Sequence, residues 1–244
     1  MENKSNVSKY LLPVIIIWTV AGCLMPNICL SITEDLSLVQ RITNIVLPAG
    51  IYWLLMSLTR NTGKAGLWMV ILEFFAAFQV VLIYIYGRSV LAVDMLLNVM
   101  TTNYGEATEL LGSMMPAIIL VLLVFLPPLI SSGVAVARGM KLPKKVLGYN
   151  RLGSLVTICI GLVCYMASFF SARPFHPVAD IYPLNVGYNI YLAVERTILT
   201  SHFKENTASY RFGAVPTHPE GLSELYVIVI GETSRAENWQ LAGY

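Results

Sequence analysis

Charge is the scarcest ingredient of this chain. Asp, Glu, Lys and Arg make up 12% of its 244 residues, about half of the roughly 25% that a soluble domain carries. That deficit argues against a soluble globular domain, and no Lys/Arg-rich stretch reads as a nucleic-acid patch. No A-x-A-like cleavage site follows the first apolar run, which therefore reads as a retained span and not as a removable leader. Internal repeats and low-complexity segments are missing too. The four cysteines, Cys23, Cys29, Cys159 and Cys164, fall in the predicted first and fifth helices and read as small packing residues, not as a disulfide framework. The three histidines, His176, His202 and His218, lack metal-ligand spacing and read as surface residues.

What is abundant is apolar surface, at 56% hydrophobic residues. About 20 helical residues cross a hydrocarbon layer of about 30 Å. Five runs approach that length: Tyr10–Ile32, Asn44–Leu58, Leu67–Tyr86, Met115–Ala137 and Leu152–Phe170, the second being the shortest. The expected fold is an α-helical polytopic membrane domain over residues 1–170, with prolines inside or near the spans that neighbouring helices accommodate. Glu73 falls within the third run. A buried carboxylate there is costly and often functional, but its place near the predicted cytoplasmic end, within reach of Lys64 or interfacial water, favours a structural role.

Loop charge gives the orientation. Lys4 and Lys9 at the amino terminus, Arg60 and Lys64 in the second loop, and Arg138, Lys141, Lys144, Lys145 and Arg151 around the fourth contrast with Arg41 and Arg88 in the first and third. The positive-inside rule places the amino terminus in the cytoplasm. Five crossings then put everything after Phe170 outside, in the periplasm or at the cell surface of a bacterium. Residues 171–222 read as a linker. Its stretch Asn185–Phe203 has apolar residues at Val186, Ile190, Val194 and Ile198, which suits an interfacial amphipathic helix and equally an ordinary connector. Residues 223–244 then open a different kind of structure. Tyr226-Val-Ile-Val-Ile230 is a short, nearly continuous β-branched run of the sort buried in parallel sheets. Ser234-Arg-Ala-Glu237 offers a capping box for a following helix. Such a strand–loop–helix sets the residues after the strand at the sheet edge where α/β folds place ligands, and Glu232 is the acid found there.

A second pattern lies in the third loop, near 88–114. Asn98, Thr102 and Glu106 are spaced by four, so a continuous helix would align an amide, a hydroxyl and a carboxylate along one stripe. That set can hold an ammonium group and hydrogen-bond a phosphodiester. The competing reading is that Gly105 breaks the helix and Asn103-x-x-Glu106 caps the next one.

The closing segment VIVIGETSRAENWQLAGY resembles the start of the catalytic domain of bacterial phosphoethanolamine transferases, in the alkaline phosphatase–sulfatase superfamily. Gly231, Glu232, Thr233, Arg235, Gly243 and Tyr244 match that pattern. The Asn98-x3-Thr102-x3-Glu106 stripe and the linker Tyr182-Pro-Leu-Asn185 are also similar to that family. The resemblance implies that Glu232 is a Zn²⁺ ligand and that Asn98, Thr102 and Glu106 bind the donor's ethanolamine phosphate. It implies an inner-membrane enzyme moving phosphoethanolamine from phosphatidylethanolamine to lipid A or another envelope glycan. The reaction would pass through a phospho-threonine, on a threonine downstream of the glutamate motif. Thr233 is therefore not expected to be the nucleophile, no catalytic residue is expected in this chain, and the 244 residues alone are expected to be inactive as an amino-terminal part of the enzyme. The alternatives are a phosphoglycerol transferase of the lipoteichoic-acid type and a non-catalytic membrane anchor.

Overall fold

A computed structural model describes residues 2–86, 104–105, 108, 114–171, 175–211 and 213. Among the described residues every regular element is a helix. They are α1 (Glu2–Thr33), α2 (Leu38–Met56), α3 (Thr62–Trp68), α4 (Val70–Tyr86), α5 (Met115–Ala137), α6 (Lys144–Ser168), α7 (Pro177–Asp180), α8 (Leu184–Ser201) and α9 (Phe203–Thr207). The chain divides into a larger unit, Met1–Ser201, and a second, His202–Tyr244, of which α9 is a described part. Among the described residues of the larger unit, four helices are long and apolar enough to cross a membrane. The bent pair α3–α4 makes a fifth if it counts as one span. The predicted strand Tyr226–Ile230 lies outside the described residues.

Three spans differ from the sequence expectation. α2 begins at Leu38, six residues before the predicted Asn44, because Ser37 caps it: the Gln40 N–H donates to Ser37 Oγ at 3.4 Å and the Ser37 N–H to Gln40 Oε1 at 3.0 Å. This reciprocal box satisfies two donors that a helix start leaves open. Gln40 and Thr43, which precede the predicted start, and Asn44, which stands at it, are all buried and turn their polarity into the bundle. The predicted third span is two helices that meet at Met69 with a 49° bend. Asn61 starts the first of them by accepting from the Lys64 N–H at 3.1 Å. The small residues of α3 let it lie directly on α5, where a Cβ on Gly66 would stand 2.2 Å from Ser132 Oγ. α6 begins at Lys144, eight residues before the predicted Leu152.

Prolines inside spans find their compensation in neighbours. Pro128 has no N–H to offer the carbonyl of Val124 one turn earlier, and the Trp18 indole of α1 donates to that carbonyl at 2.9 Å. A donor from the next helix replaces the one proline lacks.

Hydrogen bonds fix which loops share an end. The Leu142 N–H donates to the Arg60 carbonyl at 2.8 Å, and Arg60 Nε returns a bond to the Leu142 carbonyl at 3.1 Å. Arg151 covers the free carbonyls at the end of α2, with Nε donating to Ser57 O at 2.8 Å and Nη2 to Leu58 O at 2.6 Å. The basic second and fourth loops therefore belong to one end of the bundle. At the other, Ser37 Oγ and Ser171 Oγ are 3.0 Å apart. Leu30, Leu36, Phe175 and Ile181 form a small apolar cluster there. All four cysteines are free thiols.

Candidate functional site

Asn98, Thr102, Glu106 and Glu232 lie outside the described residues. Of the loop stripe's immediate neighbours, Tyr104, Gly105 and Thr108 are helical, and Thr108 Oγ1 donates to the Gly105 carbonyl at 2.8 Å. His176 and His202 are exposed, and His218 lies outside the described residues. Among the described residues, no three His, Cys, Asp or Glu side chains converge on one point.

The chemistry that is described gathers where the linker re-enters the bundle. After α6 the chain makes the short turn α7, braced by the His176 N–H donating to Asp180 Oδ2 at 2.8 Å. It then runs inward, so that Tyr182 is 1% exposed and packs in the main core with Cys23, Tyr52 and Val186. Burying a peptide unit there would leave its N–H and carbonyl unpaired, at about 1–3 kcal/mol each. Asn27 of α1 prevents this. Its Oδ1 accepts from the Tyr182 N–H at 2.9 Å, while its Nδ2 donates to the Tyr182 carbonyl at 3.4 Å. The carboxamide thus pairs with the peptide as a neighbouring strand would. The Tyr52 hydroxyl of α2 adds a second bond to the same carbonyl at 2.8 Å. The Tyr182 hydroxyl donates to the Leu72 carbonyl of α4. Burial holds this phenol well above the ordinary tyrosine range, so the hydroxyl stays a donor. One linker residue is bonded to three membrane helices.

Polar groups continue around this anchor. Asn44 Nδ2 donates to the Asn27 carbonyl at 3.0 Å and to Ser31 Oγ at 3.1 Å. Asn185, three residues after Tyr182, is buried, and neither of its amide atoms has a hydrogen-bond partner among the described residues. Glu73, next to Leu72, is 4% exposed. Thr19 is its polar neighbour, and Oε1 has no hydrogen-bond partner among the described residues. Lys64, its expected partner, is exposed. The carboxyl borders an apolar cavity of about 200 Å³ between α4 and α5, lined also by Phe74, Ala77, Val121 and Phe125. Buried ionisable groups at such depth mark functional positions by default.

The linker helix α8 turns only part of its predicted stripe into the bundle. Val186 is buried, but Ile190, Val194 and Ile198 of the predicted stripe are exposed, as are Tyr188 and Tyr191. The inward face is Asn185, Val186, Asn189 and Ala193. By sequence Tyr182 belongs to a linker pattern and, like Tyr188 and Tyr191, suits the membrane–water boundary; it is buried in the bundle instead. The signal that could have marked its seat was Asn27 and Asn44, two amides inside apolar runs, since polar residues within spans usually bond across helices. No known protein family, curated protein or solved structure matches the chain.

Proposed function

We propose that this chain is the membrane part of a metal-dependent phosphoethanolamine transferase of a bacterial inner membrane, with the segments after α6 on the periplasmic side. The observation that carries the reading is the pairing of two spaced motifs, Asn98/Thr102/Glu106 in the third loop and Gly231-Glu232-Thr233 after the linker. The anchored Tyr182 supports it physically. A transferase drawing its donor from the bilayer must hold its catalytic part against the membrane, which replaces a search in solution by positioning. The exposed tyrosines and aliphatic residues of α8 suit a helix resting at the membrane surface.

In this reading Asn98, Thr102 and Glu106 orient the head group of phosphatidylethanolamine: the carboxylate offsets the ammonium, and the amide and hydroxyl donate to phosphate oxygens. Glu232 would hold Zn²⁺, for which a carboxylate oxygen is an ordinary ligand. When bound, the metal lowers the pKa of a hydroxyl nucleophile and neutralises charge on the transferring group. The acceptor is lipid A or another envelope glycan.

The test is transfer of head-group-labelled phosphatidylethanolamine by the full-length protein in membranes. Glu232→Ala is expected to abolish transfer with membrane insertion unchanged. Turnover at the unmodified rate in that variant overturns the ligand role. Consumption of labelled phosphatidylglycerol in its place would assign the chain to phosphoglycerol transfer.

A further inference from the structure

A second feature opens toward the basic end of the bundle and is independent of the proposed transfer. α1, α2 and α6 leave between them a groove of about 410 Å³, within the roughly 300–1,000 Å³ usual for small-ligand pockets. Pro13, Ile17, Val20 and Leu24 line it along α1, Ala49 and Trp53 along α2, and Val146 and Asn150 along α6. From Pro13 to Leu24 it follows α1 for about 16 Å, at 1.5 Å per residue. Apart from Asn150, its named lining residues are apolar.

The groove reaches the end of the bundle where positive charge collects. Lys144 and Lys145 open α6, directly before Val146, and both are exposed. Lys145 Nζ stands 6.0 Å from the ring centre of Tyr149, the neighbour of Asn150. On α1, Lys9 stands one helical turn ahead of Pro13. Arg60, Lys64, Arg138 and Lys141 belong to the loops joined at this end, and residues 57–69 and 138–155 contain no Asp or Glu.

We propose that this groove binds one acyl chain of an acidic phospholipid, whose phosphate-bearing head group is held by Lys144 and Lys145 at the mouth. The combination decides the occupant. Inside a bilayer a protein helix gains little by exchanging lipid for an apolar groove, because lipid tails are as apolar as leucine. A lipid tail already beside the bundle fills the groove with no segment to bring in, and an anionic head adds attraction to the lysines, which sets an acidic phospholipid apart from its neighbours. Basic pockets beside membrane helices recognise anionic head groups by this means.

The experiment is native mass spectrometry of the intact protein released from nanodiscs made of equal parts phosphatidylglycerol and phosphatidylcholine. Retained phosphatidylglycerol is expected to exceed phosphatidylcholine by about fivefold for each lysine engaged. The pair Lys144→Gln and Lys145→Gln, exposed and outside the core, returns that ratio to near parity. Ala21→Phe fills the groove from its exposed wall and removes retention of either lipid. Equal retention of both lipids by the unmodified protein overturns the proposal. So does an unchanged ratio in the lysine pair, or undiminished retention in Ala21→Phe.

Discussion

The contact between α2 and α6 and the contact among α1, α2 and α4 are both helix packings within an apolar layer, held by opposite means. Along α2 and α6 the backbones touch: a Cβ on Gly161 would stand 2.7 Å from Leu47 Cα, and one on Gly50 2.8 Å from the Ile158 backbone nitrogen. Small residues let dispersion act between main chains, the means available where the hydrophobic effect no longer separates helix from surroundings. Among α1, α2 and α4 a foreign residue, Tyr182, fills the space and is bonded to each helix. The first contact is closed by what its side chains lack. The second is closed by a group brought from outside the spans, and so it couples the linker to the bundle.

Three substitutions break the comparison, in falling order of effect. Tyr182→Ala removes both the filling and the phenol bond. It should destabilise by about 3–5 kcal/mol, the usual cost of deleting a buried aromatic side chain, read as a lowered midpoint of unfolding in detergent together with protease cleavage near 175–184. Gly161→Leu forces α6 away from Leu47 and should cost about 1–3 kcal/mol, the usual range for overpacking. Its unfolding midpoint falls while the 175–184 segment keeps its protease resistance. If that segment loosens equally in both variants, the two contacts are not separate. Asn27→Leu keeps the filling and removes only the carboxamide pairing. About 1 kcal/mol is expected, since hydrogen bonds between membrane helices average somewhat less than that and rarely reach 2. A loss as large as that of Tyr182→Ala would mean that the bonds, and not the burial, hold the linker.

How far these features could be read in advance depends on the range of the forces behind them. The runs at Tyr10–Ile32 and Met115–Ala137 are legible because bilayer length is a property of consecutive residues, and the membrane-length stretches Tyr10–Thr33 and Met115–Ala137 follow them closely. The second span is longer than its apolar run because Gln40 and Thr43, ahead of Asn44, are polar in sequence yet buried in the bundle. The bend at Met69 is not legible because most of α3, with Lys64, reads as loop, and only α5 lying against Gly66 gives a reason for the break. Of the candidate site, Asn98, Thr102, Glu106 and Glu232 came from spacing and resemblance. The seat of Tyr182 could not come that way, because Asn27 and Tyr182 are 155 positions apart.

The amino-acid order alone determined that this chain is built for a lipid environment, where its long helices run, and that its basic residues cluster in alternate loops. Those follow from local composition, since the transfer of a residue between water and hydrocarbon depends mostly on that residue. Tertiary structure alone decided that polar Asn27, Gln40 and Asn44 belong inside, that the linker returns to the bundle at Tyr182, and that a groove opens beside Lys145. Each depends on which distant groups meet, because a buried amide or peptide is tolerated only when its partner arrives from elsewhere in the chain.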